Sequence, residues 1–238
     1  MSKEKGIRIN KYLSQAGYCS RREADRLLEQ GRITLNDSVP ELGTRVFPND
    51  KVKVDGKLVE NKSEEHTYLA FNKPVGIVCT TDSGVEKDNI IDYINYPTRI
   101  YPVGRLDKAS EGLILLTDDG EIVNKILRSR NDQGKEYIVR VNKPVTPEFI
   151  KGMGEGVPIL DTVTKKCEVR KTGSHEFHII LTQGLNRQIR RMCEYFNYEV
   201  VGLKRIRVIN IHLDDLPVGK YRHLSEKELK DLKRIVEA

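Results

Sequence analysis

Apolar positions in the first part of the chain recur at helical spacing and then begin to alternate. Ile9, Leu13 and Ala16 stand at i, i+4 and i+7, which predicts a short amphipathic helix closed by Gly17. A second helix is predicted from Ser20, with Glu23 completing a capping-box pattern, Ala24, Leu27 and Leu28 turned inward, and Gly31 as the stop. Ile33, Leu35, Val46, Val52 and Val54 then form short alternating runs around turns at Asn36-Asp37 and Asn49-Asp50, as half-buried strands do. Residues 55–66 are polar with little apolar periodicity and read as a linker.

From Tyr68 the pattern changes to longer stretches that read as strands. Strands are predicted at 68–71, 76–80, 112–117, 137–141, 166–170, 177–182 and 203–211, interrupted by helical patterns at 121–128, 147–153 and 187–196. A final helix at 226–236 has Leu229, Leu232 and Val236 at helical spacing behind a Ser225 cap and is expected to pack on the outside. Mixed strands and scattered helices predict an α+β fold rather than a doubly wound sheet. The expected division is a small αα-β domain at 1–54, a linker at 55–66, and a larger domain with a mixed, largely antiparallel sheet at 67–238. The sequence has no internal repeat and no low-complexity tract.

Charge sharpens this picture. Lys and Arg number 41 against 35 Asp and Glu, a formal net charge of +6 in 238 residues. That balance suits a polyanionic partner if the cations cluster, and in the first domain they do. Arg8, Lys11, Arg21, Arg22, Arg26 and Arg32 are left facing outward once the apolar stripes are turned in. Arg21 and Arg22 fall in the first turn of a helix, where cations oppose the dipole and call for a nearby anion such as phosphate. An ordinary solvated face, with Glu23 and Glu29 as partners, is the alternative. The polar start and the absence of about 18 consecutive apolar residues lead us to expect a soluble cytoplasmic protein with no membrane association. Cys19, Cys79, Cys167 and Cys193 lie far apart and read as structural thiols, and the five dispersed histidines show no metal spacing, so no metal site is expected.

Three segments could carry chemistry. Gly104-Arg105-Leu106-Asp107 lies in a charged loop leading into the apolar run 113–116, and a rigid strand fixes what such a loop presents. An ordinary strand-entry loop would look similar. Arg187, Arg190 and Arg191 stand at i, i+3 and i+4 on one face of a predicted helix whose apolar stripe is Ile189, Met192, Cys193 and Phe196. Acidic protein partners, or an RNA backbone plus one carboxylate, would relieve their repulsion. Tyr137 opens a strand and is able to stack on a base, although tyrosine is common in strands. Gly152-x-Gly154-x-Gly156 lacks the Lys-Ser/Thr ending and the preceding strand of a phosphate loop, so nucleotide binding is not expected.

The stretch from Ile7-Arg8-Ile9-Asn10-Lys11 through Cys19-Ser20-Arg21-Arg22-Glu23 resembles the S4-type RNA-binding module. The later segments resemble the pseudouridine synthases of the RsuA/RluB/RluE/RluF group, with Asn72-Lys73-Pro74-Val75-Gly76 similar to the first motif of that domain. The run from Asn124 through Arg128, Gly152 and Leu160 to Cys167 looks most like the RluF branch, which acts on large-subunit ribosomal RNA. The sequence stops soon after the final helix, so it is expected to lack the basic C-terminal extension that some RluF-like members carry.

The resemblance implies Asp107 as the catalytic carboxylate, Tyr137 as the active-site tyrosine, and Arg190 as the arginine paired with Asp107. It further implies that Arg105 occupies the space left by a flipped base or holds the displaced strand, that Ile189 walls the pocket, and that Arg187 and Arg191 bind substrate. Arg8, Lys11, Arg21, Arg22 and Arg32 would contact RNA from the first domain. The implied reaction breaks the bond from C1′ to N1 of uridine and rejoins the base through C5. It needs no cofactor. The implied partner is structured RNA, 23S ribosomal RNA or else a tRNA stem-loop, acted on by a monomer. Two other classes compete: an RNA-binding or ribosome-assembly factor without turnover, and an N-glycosidase that releases the base.

Overall fold

A computed structural model describes residues 6–60, 66–81, 84, 86–127 and 134–237. The linker residues 61–65 and Arg128 of the expected helix lie outside the described residues. The chain divides into two units, Met1–His66 and Thr67–Ala238.

The first unit runs β1 (Ile7–Arg8), α1 (Ile9–Gln15), α2 (Arg21–Glu29), β2 (Ile33–Leu35), β3 (Arg45–Val46), β4 (Val52–Val54) and β5 (Lys57–Leu58). Ile9, Leu13, Ala16, Ala24, Leu27 and Leu28 meet the strand residues Ile33, Val46, Val52 and Val54 in one core. The Ser20 side chain accepts the Glu23 N–H at 3.1 Å, capping α2 as the sequence predicts, while the Glu23 carboxylate pairs with Arg26 at 3.2 Å. Asn10 donates to Asp25 at 2.9 Å and ties the two helices together.

The expected linker is entered too early. Asp55 and Gly56 both take positive φ, +50° and +76°, forming a tight hairpin turn that pairs β5 with β4. Val59 is buried beyond it and its carbonyl accepts the Tyr12 hydroxyl at 3.2 Å. Residues 55–59 therefore complete the first unit.

The second unit runs β6 (Tyr68–Lys73), α3 (Ile90–Ile94), β7 (Tyr101–Pro102), β8 (Glu111–Thr117), α4 (Gly120–Leu127), β9 (Lys135–Val141), α5 (Pro147–Glu155), β10 (Pro158–Ile159), β11 (Thr162–Val163), β12 (Glu168–Gly173), β13 (Glu176–Leu181), α6 (Gln188–Tyr195), β14 (Val200–Val208), β15 (Ile211–His212), β16 (Tyr221–His223) and α7 (Glu226–Glu237). Its main sheet has the order β12-β13-β9-β14-β8-β6-β16, with β15 beside β14 and β7 beside β8. Among the described residues only the pairing of β14 with β8 in this sheet is parallel. This is the expected α+β fold with a largely antiparallel sheet.

Strand alternation divides the apolar side chains between the two faces. On one face, α5 and α6 bury Phe149, Met153, Ile189 and Met192 against Val139, Phe177, Ile179 and Leu203. Farther along that face, Leu69, Phe71, Ile114 and Leu116 pack with Cys79, Ile90 and Leu106. Tyr137 touches both clusters and so stands where they join. On the other face α4 and α7 cover Tyr68, Ala70, Leu113 and Leu115. The glycine run serves helix packing: a Cβ on Gly152, inside α5, would lie 2.5 Å from the Phe196 ring.

The strand expected at 76–80 is not formed. Its backbone bonds leave the ladder: Gly76 N–H donates to Lys108 O at 2.8 Å and Val78 N–H to Asp88 O at 2.8 Å, and Val78 makes only an isolated bridge to Asn89. The segment is a brace for two loops. The strand expected across 203–211 is split by Ile209 at φ +58°, which turns β14 back as β15.

Candidate active site

Asp107 sits in the loop between β7 and β8, where Gly104 at φ +78° turns the chain and Ser110 N–H closes onto Asp107 O at 3.0 Å. Leu106 points down into the core, its N–H donating to Cys79 Sγ at 3.4 Å, and this leaves Arg105 exposed and Asp107 half-buried. The loop is thus held at three points: below by Cys79, beside by Gly76, and at its end by β8.

Arg190 supplies a fourth. It projects from α6 and donates through Nη2 to Ala109 O at 3.0 Å and through Nη1 to Val200 O at 3.0 Å, with Ser110 Oγ at 3.4 Å. Among the described residues no ion pair joins Arg190 to Asp107. The expected pairing is therefore not what this structure shows: the guanidinium grips the backbone of the loop that carries the carboxylate. Its Nε is buried without a hydrogen-bond partner among the described residues. Ile189 is buried in the cluster that Tyr137 joins. Arg187 is exposed at the N-cap of α6 in a left-handed conformation, φ +49°, and Arg191 folds back onto Asn186 O at 3.1 Å.

Two cations that pattern analysis passed over lie in the floor of this site. Lys73, at the end of β6, is fully buried and donates to Pro74 O and Ile77 O, both at 2.8 Å. Arg205, on β14, is 4% exposed and donates through Nε to Leu113 O at 2.6 Å. Burial pushes the Lys73 ammonium below its ordinary pKa, opposed by the charge of Asp107 and reinforced by Arg205. Lys135 is lowered by burial and by the same Arg205. The Cys79 thiol is raised by burial. Burial also pushes Cys193 up to about 12 and Cys167 to about 11, so both stay protonated and pack as apolar groups.

Gly112, at φ +106°, is where β8 meets β14, and a Cβ there would lie 2.2 Å from Arg205 O and 2.7 Å from Arg205 N. No side chain fits.

In the first unit Arg8, Arg21, Arg22 and Arg32 are exposed and Lys11 is half-buried. Arg32 is engaged with Asp55, Nε at 2.9 Å and Nη2 at 2.6 Å, and this bidentate bond raises its pKa. Arg21 and Arg22 stand at the start of α2 without a carboxylate partner among the described residues. Among the described residues no group of three or more His, Cys, Asp or Glu is placed to hold a metal ion, and no helix is long and apolar enough to cross a membrane.

Residues 67–195 match the family model described as RNA pseudouridylate synthase, and residues 7–52 match the S4 domain. A protein of Escherichia coli O6:H1 named dual-specificity RNA pseudouridine synthase RluF is 55% identical over 100% of this chain and 82% of its own length. Ribosomal large subunit pseudouridine synthase B of Bacillus subtilis is 32% identical over 97% of each chain. Among solved structures, a crystal structure of pseudouridylate synthase superposes with a TM-score of 0.69 at 26% identity, over 95% of this chain and 99% of that one.

Proposed function

The chain belongs to the RNA pseudouridylate synthase family, and on that premise we propose that it isomerises uridine to pseudouridine in structured RNA with Asp107 as its catalytic carboxylate. The observation that carries the assignment to Asp107 is the fastening of its loop, held by Cys79, Gly76, β8 and Arg190 while no cationic side chain among the described residues is bonded to the carboxylate itself. Rigid loops with an uncommitted carboxylate suit nucleophilic or proton-abstracting work.

The target nucleotide leaves its stack to reach Asp107, and unstacking costs a few kcal/mol that backbone contacts offset. Arg105, exposed two residues before Asp107, fills the vacated space or holds the displaced strand. Asp107 then attacks the nucleoside or removes a sugar proton, and the bond from C1′ to N1 breaks. The uracil turns against Tyr137 and Ile189, C5 bonds to C1′ as the Asp107 carboxylate is released from the sugar or returns the sugar proton, and the proton lost from C5 is balanced by one gained at N1. Atoms and charge are conserved, so the product has the mass of the substrate. Arg190 acts in this reading by fixing the loop, and Arg187 and Arg191 meet phosphates near the mouth. Arg8, Lys11, Arg21 and Arg22 contact RNA from the first unit, and Arg32 does so through the guanidinium edge that Asp55 does not take, where Nη1 reaches Gln30 Oε1 at 3.4 Å.

The substrate is RNA, and we place it in the large ribosomal subunit, in line with the Bacillus subtilis relative. A tRNA stem-loop is a second substrate reading, favoured by the dual specificity in the name of the Escherichia coli relative. The enzyme works as a cytoplasmic monomer, which size-exclusion chromatography with light scattering checks. A pure binding factor would not need the carboxylate, which repels phosphate. Carbodiimide mapping of ribosomal RNA and tRNA from a strain lacking the gene, complemented with wild type or Asp107→Asn, tests the assignment. A modification lost on deletion and restored by wild type alone supports it; RNA unchanged by the deletion overturns the substrate.

A further inference from the structure

The end of the main sheet carries a corner of aromatic rings. β16 closes the strand order beside β6, with Tyr221 in register with Phe71 and His223 with Leu69. Side chains of register partners share a face, so Tyr221 and His223 stand on the face where Leu69 and Phe71 pack with Leu106. Tyr96 packs on that same cluster, and it meets Tyr221 edge-on at 5.7 Å between ring centroids and His223 at 6.2 Å. Tyr93 rests on Phe71 at 5.9 Å with its hydroxyl over Gly219, where a Cβ would lie 2.4 Å from it.

These rings are left largely in water. Tyr93 is 48% exposed, Tyr221 is 41% exposed, and His223 is exposed as well. Among the described residues neither the Tyr93 nor the Tyr221 hydroxyl makes a hydrogen bond. A single exposed apolar side chain is ordinary, but a contiguous group of rings marks a contact surface. An edge-on contact uses the rim of one ring, so flat faces remain for a further partner. Lys220, exposed and without an ion pair among the described residues, stands beside Tyr221. Flat aromatic faces next to an unpaired cation match a nucleobase and its phosphate.

The corner is fastened to the candidate site. Asn89 Oδ1 accepts the N–H groups of Ile91 and Asp92 at 3.0 and 2.9 Å, and Ile90 N–H donates to Val78 O at 2.9 Å. α3, which carries Tyr93, therefore hangs from the segment whose Gly76 N–H holds Lys108 O in the Asp107 loop. Asn95, at φ +46°, ends α3 and returns Tyr96 to the cluster that contains Leu106. At roughly 4.8 Å per strand, β16 stands about 10 Å from β8, into which the Asp107 loop runs.

We infer that Tyr93, Tyr96, Tyr221 and His223 form a stacking site for a second base of the RNA substrate, an unpaired nucleotide near the target uridine. The inference rests on the reading of Asp107 as the catalytic carboxylate. A base held on the corner fixes the strand in register with the Asp107 loop, because the same backbone bonds set the spacing of both. Lys220 takes a phosphate beside the stacked base.

The chain contains no tryptophan, so Tyr221→Trp places a single reporter in the corner. Titrated with a ribosomal RNA fragment, its emission should be quenched, with saturation at the affinity that filter binding gives. Tyr221→Leu keeps apolar bulk on the edge strand but removes the ring, and should weaken RNA affinity by about tenfold, whereas Tyr221→Phe should stay within about threefold of wild type. The loss should fall in KM rather than kcat. Emission indifferent to RNA, or a Leu variant that binds as tightly as the Phe variant, overturns the proposal. A second copy of the chain on this edge overturns it too: light scattering would then show a dimer that Tyr221→Leu dissolves while RNA affinity holds. The Trp and Phe variants keep a ring at an exposed position, so the fluorescence result stands even where the Leu variant does not fold. Failure of the underlying reading looks different: Asp107→Asn would retain turnover while the quenching persisted.

Discussion

Removing the guanidinium of Arg190 should slow turnover far more than it weakens RNA binding. The side chain makes two well-placed bonds, to Ala109 O and Val200 O at 3.0 Å each, and a longer one to Ser110 Oγ. Hydrogen bonds from a charged donor contribute roughly 1.5–3 kcal/mol apiece, so the two together are worth about 3–6 kcal/mol before discounting for the half-exposed site. Taking about 3 kcal/mol as the part that orders the Asp107 loop, Arg190→Ala should lower kcat by about a hundredfold. Because the bonds are internal to the protein, KM should change by less than about threefold. Arg190→Lys presents one ammonium to two carbonyls in different directions and should recover only part of the loss. The assay is tritium release from RNA labelled at uridine C5, with affinity measured separately by filter binding. A variant with kcat within twofold of wild type, or one whose whole loss lies in KM, would refute the clamp.

Three further outcomes follow from the same geometry. Gly112→Ala combines a strained positive φ with a Cβ placed 2.2 Å from Arg205 O, and should cost about 3 kcal/mol or more. In a domain of this size that is a fall of about 6–12 °C in Tm, and a shift under 2 °C would contradict it. Glu228 takes both arms of Arg222 at 2.8 Å and is held at about 2, below its ordinary 4.5. Its folded value is the lower one, so its contribution is complete above about 4.5 and disappears as pH falls toward 2. Glu228→Gln should thus cost about 1–2 kcal/mol at pH 7 after discounting for partial exposure, with the gap closing between pH 4.5 and 2 in urea melts. Arg21→Ala and Arg22→Ala should each reduce the slope of log affinity against log salt by about one while leaving kcat unaltered. An unchanged slope would remove these residues from the RNA surface.

Local chemistry was the part most readily read from sequence. The Ser20 cap, the stripe Ile9, Leu13, Ala16 and the Asn36-Asp37 turn all rest on neighbours within a few residues, and each is present. The Asp55-Gly56 hairpin carried an equally local signal, but a polar surrounding stretch disguised it as linker. Segment 76–80 misled for another reason: Ile77 and Val78 suit a strand, yet the Gly76 and Val78 N–H groups bond to Lys108 O and Asp88 O, partners set by the tertiary fold. In the site, the motif residues Asp107, Tyr137 and Arg190 were visible one by one, whereas the target of Arg190 was not, since Ala109 O is a main-chain atom 81 residues away. Lys73 stood in the Asn72-Lys73-Pro74 motif but its burial was not legible, since the expected strand ended at 71 and β6 runs on to 73; Arg205 stayed hidden because alternation assigns charged residues to solvent, and here the strand turns it inward.

The central claim is that Asp107 drives isomerisation of uridine in RNA. Purified wild type and Asp107→Asn, each incubated with a ribosomal RNA fragment labelled with tritium at uridine C5, decide it when tritium release is followed together with the intact mass of an unlabelled duplicate. Wild type should release tritium with RNA mass unchanged, and Asp107→Asn should bind the fragment equally well and release none above background. Turnover by Asp107→Asn within tenfold of wild type, or a product lighter by one base, would contradict the account.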